Sequence, residues 1–228
     1  MLTSAAIVSA GLMIGGFLLG DGLVRAKAAD RAVTVRGLAE RNVMADLATW
    51  TLSFSSTATS LQAAQAGVDR DSTSIKAFFH DLGFPADAIE PNGISVNYFT
   101  NKDGLGQYTV RQRISLRTHD IARAQKAVRQ QIELVRRGVV LQDGSGMSYS
   151  FTKLDTIKPA MVAAATKDAR AAAEQFARDS GAEVGKIRSA TQGYFSIEAR
   201  DGDSGGWGAN DTPFKKVRVV TTVAFSLD

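Results

Sequence analysis

The sequence predicts an α+β fold in which largely antiparallel sheets pack with three long helices in two lobes, preceded by a hydrophobic N-terminal helix. Three observations predict it. Most strand-like stretches come in pairs joined by short turns, the helical stretches lie between these groups, and the last stretch alternates apolar and polar residues throughout. Helices separated by hairpins are typical of antiparallel sheets and not of a doubly wound parallel sheet.

The chain opens with a hydrophobic segment. Residues 5–20 carry no charge, and the apolar run reaches from residue 2 to residue 23 if Thr, Ser and one Asp are included. About 20 apolar residues cross a bilayer, while Ala26 and Ala28 fit the small residues of a cleavage site. We therefore expect residues 1–28 to be a membrane anchor or a signal peptide, and residues 30–228 to be the folded domain.

The first half of the folded part reads as two strands, a helix and a hairpin. One strand starts at Val33, the next covers 46–57, and the hairpin strands cover 94–100 and 107–118. The helix between them opens at Ser60 and ends at a Leu-Gly pair followed by Pro. Its apolar stripe consists of Leu61, Ala64, Val68, Ile75, Phe79 and Leu82. In the last hairpin strand, the residues predicted to face the core are Tyr108, Val110, Ile114 and Leu116.

The second half reads as a helix, an interrupted strand, a long helix and two strands. Asp120 is placed to cap the first helix, which ends at Gly138. The interrupted strand covers 139–141 and 147–152, and the last two cover 187–199 and 216–227. The long Ala-rich helix spans about 155–179, and its small side chains predict close backbone approach or subunit contact. The face expected to be apolar comprises Ile157, Met161, Ala165, Ala169, Ala172 and Phe176.

Composition excludes several classes of function. The chain has no Cys, which rules out disulfide scaffolds, Cys-ligated zinc and thiol catalysis. Its two His residues, His80 and His119, each precede an Asp, but one or two ligands do not make a metal centre. We therefore expect neither a metal nor a cofactor.

Basic residues concentrate in one stretch. Eight basic residues against two acidic ones lie between Arg111 and Arg137, which gives that stretch a charge of +6 in a chain of +4. It predicts a contact surface for anionic lipid, an anionic polymer or a neighbouring subunit, the alternative being a solvated charged face. Nucleic acid is disfavoured because aromatic residues do not interleave with the basic ones. The eight residues are Arg111, Arg113, Arg117, Arg123, Lys126, Arg129, Arg136 and Arg137.

The loop 201–211 contains two partial motifs. Ser204, within Gly-Asp-Ser-Gly-Gly, matches the nucleophile motif of chymotrypsin-like proteases, but those enzymes are all-β, whereas this chain predicts long helices. Asp201 and Asp203 match two positions of a calcium-binding EF-hand loop, yet Thr212 stands where a bidentate Glu is needed. We expect a surface loop, in which Trp207 marks either a contact surface or an anchor of the loop.

The opening of the folded part contains a spaced motif that consists of Val33, Val35, Gly37, Glu40, Val43 and Asp46. This motif and the element order over residues 33–227 resemble the SIMPL-domain family of bacterial envelope proteins. The resemblance implies export to the periplasm or outer envelope, self-assembly, links to oxidative-stress defence in some members, and no catalytic residues.

The expected function is therefore that of a non-enzymatic cell-envelope protein that forms a homo-oligomer. One alternative is a binding module for anionic lipid or polymer; a less favoured one is a serine hydrolase that uses Ser204. The expected location is the periplasmic side of the inner membrane, anchored by residues 2–23, or the soluble periplasm after cleavage. Charge opposes this orientation, because Arg25, Lys27 and Arg31 follow the hydrophobic run and no basic residue precedes it.

Overall fold

A computed structural model describes residues 13, 15–20, 31–100, 104–201 and 210–228. These residues form two four-stranded sheets with antiparallel pairing, together with helices, so the predicted α+β class is confirmed. The elements are β1 (Ala32–Met44), β2 (Leu47–Ala58), α1 (Leu61–Asp81), a 3-10 turn (Ala86–Ala88), β3 (Ile89–Thr100), β4 (Gly106–Thr118), α2 (Ile121–Arg129), α3 (Ile132–Arg136), β5 (Gly146–Ser150), α4 (Leu154–Ser180), β6 (Val184–Gln192), β7 (Ser196–Ala199) and β8 (Phe214–Leu227).

The chain divides into two compact units. The first consists of residues 1–41, 155–196 and 217–228, and the second of 42–154 and 197–216. The first unit therefore holds α4 and β6 with most of β1 and β8, while the second holds α1 to α3 and β2 to β5.

The sheet of the second unit has the strand order β3-β4-β2-β5. One face bears the core, where the inward residues of β2 and β4 meet α1, α2 and α3. Four rings at the centre of this core, those of Trp50, Phe78, Phe79 and Phe84, make edge or tilted contacts with centroids 5.5 to 6.3 Å apart. The predicted alternation of β2 and β4 is confirmed, because Leu52, Phe54, Val110, Ile114 and Leu116 are fully buried.

Two predicted elements are broken in the structure. The helix expected from Asp120 to Gly138 stops at Arg129 and restarts at Ile132, although Asp120 does cap its start by accepting from Arg123 N at 2.9 Å. The strand expected at 187–199 is divided into β6 and β7. In the helix the apolar stripe continues through the break to Ile132 and Val135, so the periodicity did not reveal it.

In the first unit β8 lies between β1 and β6, and α4 packs on this sheet. Val35, Val223 and Phe225 form a core with Ala169 and Ala173 of the helix. A Cβ atom on Gly37 would collide with the backbone of α4 at Ala165 and Ala169. The helix therefore rests directly on β1, as its small side chains allow.

The buried face of α4 differs from the predicted one in its second half. Ala173 and Ala177 are buried where Ala172 and Phe176 were expected, and Phe176 is 60% exposed. Burial follows steps of four throughout, whereas the predicted stripe included a step of three. The small residues face the chain's own sheet, which confirms the predicted close backbone approach. The expectation that this helix takes part in subunit contact stays a prediction.

Only part of the hydrophobic leader is described. Residues 15–20 are helical, and most of the predicted segment 2–23 lies outside the described residues. Within the described part of the chain, no helix combines the length and apolarity needed to span a bilayer.

Candidate functional site

The eight basic residues do not share one surface. Arg111, Arg113 and Arg117 lie on β4 and are exposed on the face of the sheet opposite to the core. The others lie on or directly after α2 and α3, which pack on the core face through Ala127 and Leu134. Side chains alternate between the two faces of a strand, so the sheet separates the two groups.

The strand group lies on a polar face. Arg113 stands opposite Ser53 of β2, and Arg117 stands opposite Thr49. Arg111 Nε donates to Gln142 Oε1 at 3.2 Å. Neither Arg113 nor Arg117 forms an ion pair with any described residue, so both guanidinium groups are available to an anion.

Arg123, in the helix group, serves the fold. Its Nη1 donates to the carbonyl oxygen of Gly83 at 2.7 Å, just beyond the end of α1. Its Nε lies 3.2 Å from Asp120 Oδ2, and its guanidinium lies 5.8 Å from the centre of the Phe84 ring. A cation at a helix C-terminus satisfies carbonyl groups that have no partner within the helix. This side chain therefore ties α2 to the end of α1.

Arg137 makes a second such link. Its Nη2 lies 2.7 Å from Asp81 Oδ2 at the end of α1, and its guanidinium lies 5.9 Å from the centre of the Phe78 ring. Arg136 pairs with Glu133 one turn earlier. Three of the five basic residues of the helix group therefore form ion pairs within the unit. The other two, Lys126 and Arg129, are exposed.

The two histidines have separate surroundings. His119 Nδ1 donates to the backbone carbonyl of Asp46 at 2.5 Å, while His80 lines a groove beside α1. Among the described residues, no group of three or more His, Asp or Glu side chains is arranged to hold a metal.

Asp46, from the opening motif, holds the end of β5. Its carboxylate accepts from Thr152 N at 2.6 Å and from Thr152 Oγ1 at 2.8 Å, and its amide donates to Ser150 O at 3.0 Å. Burial by itself raises the pKa of Asp46, but the hydrogen bonds and the nearby Lys153 outweigh burial and lower that pKa below 3.8. The site stabilises the fold and has the properties of a structural anchor.

A groove of about 480 Å³ runs between α1 and the start of β3. Its walls are mainly apolar, and the residues that line it are Thr73, Lys76, Ala77, His80, Phe84, Ala86, Ile89 and Pro91. This groove lies beside β3, which is at the edge of its sheet. When a strand of another chain pairs with such an edge, a groove of this kind can bind one of its apolar side chains.

Strand β3 itself exposes large apolar side chains. Ile94, Val96, Tyr98 and Phe99 are 56%, 49%, 61% and 44% exposed. Residues 94–100 are a predicted strand, but their sequence did not mark them as a contact surface. The available signal was the alternation of Ile94, Val96 and Tyr98 in a stretch without charged residues.

One buried cation was not predicted from the sequence. Lys215, in the second unit, is 2% exposed; burial lowers its pKa, and the carboxylate of Asp211 opposes that change. It lies one residue before the predicted strand, but the alternation of Val217 and Val219 extends back to it. It belongs to the buried face of β8.

The loop that contains the two partial motifs is described only at its two ends. Ser204, Asp203 and Trp207 lie outside the described residues. Asp201, just before them, binds Arg200 in an exposed ion pair of 2.7 Å that lowers the pKa of its carboxyl.

Comparison with known proteins identifies one family. A family model described as SIMPL, "Protein of unknown function (DUF541)", matches residues 33–225. The search of curated proteins returned no match.

Proposed function

Because the chain belongs to the SIMPL family, we propose that it is a non-enzymatic bacterial cell-envelope protein that acts by self-assembly into an oligomer. The match covers both units, so the proposal concerns the whole folded part. We place it on the periplasmic side of the inner membrane, held by residues 2–23, or in the soluble periplasm if that segment is cleaved. A role in envelope stress defence is part of the proposal.

The observation that carries self-assembly is the exposed apolar surface of β3. Ile94, Val96 and Tyr98 project on one face of the strand and are about half exposed. Contiguous apolar surface of this kind on a folded protein marks a site of interaction with another protein or a membrane. Tethering by the leader would raise the local concentration of copies and favour weak contacts between them.

Three measurements test this proposal. We expect the full chain to sediment as an oligomer in detergent and to be recovered with the envelope after cell fractionation. In spheroplasts, added protease should degrade the folded part if that part is periplasmic. A monomer at all concentrations, or a chain found only in the cytosol, would contradict the proposal.

The non-enzymatic part of the proposal has a direct test. The Ser204 motif is the one feature that suggests hydrolysis. A fluorophosphonate probe should leave the full chain unlabelled, with the same background in Ser204→Ala. Labelling that disappears in this variant would assign a serine hydrolase instead.

A second candidate function is binding of anionic lipid or polymer by the β4 arginines. The observation in its favour is that Arg113 and Arg117 have exposed guanidinium groups without an ion-pair partner among the described residues. Glu90, opposite Ser115 on the same face, only partly offsets their charge. Such a surface attracts anionic headgroups by about 1 kcal/mol per basic residue.

Vesicle binding distinguishes this candidate. Binding of the full chain to phosphatidylglycerol vesicles should exceed binding to phosphatidylcholine vesicles, and the excess should fall with salt. The double variant Arg113→Gln/Arg117→Gln should lose about half or more of that excess, whereas Lys126→Gln/Arg129→Gln, on the other side of the sheet, serves as the control. Equal losses in both variants would show that only net charge matters.

A further inference from the structure

The strands at the sheet edges differ in their protection against pairing with another chain. An edge strand presents unpaired N–H and C=O groups, and proteins protect such edges with charges, irregular backbone or short length. β1 carries Arg36, Glu40 and Arg41, while β6 carries Lys186 and Arg188 and has two register shifts against β8. Both are protected edges.

The short edge strands are protected as well. β7 has four residues and contains Glu198. β5 has five residues, and its Tyr149 N donates to Asn210 O at 2.7 Å. Each offers little backbone to a partner strand.

β3 has none of these protections beyond its first residues. In the described part of the chain it pairs only with β4, and residues 91–100 contain no charged side chain. The register shift at Pro91 is followed by unbroken pairing from Ile94 to Thr100. The outer edge of these seven residues is therefore straight, uncharged and without a described neighbour.

We propose that two copies of the chain pair antiparallel through β3 around a two-fold axis at Val96, joining their sheets into one of eight strands. This inference rests on the proposed self-assembly and specifies its contact. A two-fold interface uses the same patch on both copies. In this register Ile94 lies opposite Tyr98 of the partner copy, and the two Val96 residues lie opposite each other.

The β3 strand of a second copy matches this edge in two respects, because it lacks charged residues and its apolar residues alternate in the same way. If the partner strand carried a charged side chain opposite Ile94, Val96 or Tyr98, that charge would be partly buried beside apolar side chains without a counterion, which is costly. A second β3 brings no charge, and its apolar residues recur every second position, so all three fall against apolar residues. Aromatic and β-branched cross-strand pairs stabilise such contacts by about 0.2–1 kcal/mol each.

The absence of Cys makes the register testable by single cysteines. Directly opposite residues have Cα atoms about 4.5–5.5 Å apart, which suits a disulfide. Val96→Cys should therefore form a disulfide-linked dimer of the full chain on mild oxidation. Ile94→Cys alone should not, since its copies would be roughly 13 Å apart along the strands. Ile94→Cys mixed with Tyr98→Cys should cross-link as a mixed dimer.

Val140→Cys is the control, because Val140 is 69% exposed but lies away from this edge. If Val96→Cys cross-links no more than Val140→Cys, the proposal is wrong. An oligomer in sedimentation without the Val96 cross-link would leave self-assembly standing and overturn this contact. A monomer by both methods would overturn both.

A charge on the axis gives an independent test. Val96→Lys places two like charges opposite each other and should weaken association about tenfold or more in sedimentation. Val140→Lys adds the same charge elsewhere and should leave association unchanged. Equal association of both variants would contradict the proposal, provided that circular dichroism shows each of them to be folded.

Discussion

Gly37 shows what the opening motif does at the level of single side chains. The residue lies on β1 where the backbone of α4 passes, and any Cβ would collide with Ala165 and Ala169. Glu40, three residues on, lies 3.7 Å from Arg218 of β8. Gly37 thus lets α4 rest on β1, and Glu40 links β1 to β8, so both motif residues contribute to the packing of this unit.

Gly37→Ala should therefore destabilise the protein. Overpacking of this kind costs about 1–3 kcal/mol, and here the obstacle is helix backbone that does not yield easily. Urea denaturation followed by circular dichroism measures the effect. Gly146→Ala is the matched control, since a Cβ there meets no atom within 4 Å, and its change should stay within about 0.5 kcal/mol.

Asp46 contributes stability that depends on pH. Its folded-state pKa is lowered, so the unfolded state binds the proton more readily. The contribution is therefore fully present above the unfolded-state pKa near 3.8 and is lost as the pH falls through the lower folded-state pKa.

Asp46→Asn should lower the free energy of unfolding at pH 7 by about 1 kcal/mol, through loss of charge-assisted hydrogen bonds from Thr152. The difference from wild type should shrink as the pH falls below 3.8. Urea titrations at pH 7 and pH 3 measure it. A difference that is constant with pH would show that the carboxylate charge has no part in the effect.

Among the elements, α1 is supported at its C-terminal end by two arginines from the segment that follows β4. Arg123 of α2 and Arg137 after α3 both reach it, and each lies over a ring of the core. The two short helices are thereby fastened to the long one, although the helix between Asp120 and Gly138 is broken. The basic residues expected to contact a partner are partly used to assemble the unit.

Arg123→Ala should cost about 1 kcal/mol of stability, because it removes a hydrogen bond and a favourable charge at a helix C-terminus. Lys126→Ala, an exposed position on the same helix, should change stability by less than about 0.5 kcal/mol. Thermal unfolding of the three proteins compares them. If Arg123→Ala and Lys126→Ala changed stability equally, the contact of Arg123 with Gly83 would contribute nothing beyond the loss of one positive charge.

For the whole molecule, the main consequence of the proposed pairing is that stability depends on protein concentration. A partner that binds only the folded state stabilises it by mass action. In each copy, the second unit, which carries β3, is then stabilised by a contact that exists only in the dimer.

We expect the melting temperature of the full chain in detergent to rise with protein concentration over a hundredfold range. Val96→Lys should remove this dependence, while Val140→Lys should preserve it. A wild-type melting temperature that is independent of concentration would contradict self-assembly through any contact.

The sequence by itself determined the fold class, the order of the elements and the buried residues of β2 and β4. These depend on local signals: the period of two in strands, the caps at Ser60 and Asp120, and the glycines that end helices. The family also followed from the sequence, because the opening motif and the order of the elements over most of the chain match it.

Only the tertiary structure decided which surfaces remain open. It divided the eight basic residues between two faces, turned the alanines of α4 toward β1, and left β3 at an edge. Alternation along a strand is a local property, but the neighbours of that strand are chosen by residues far away in the chain. The exposed edge of β3 therefore became visible only when the strand order β3-β4-β2-β5 was known.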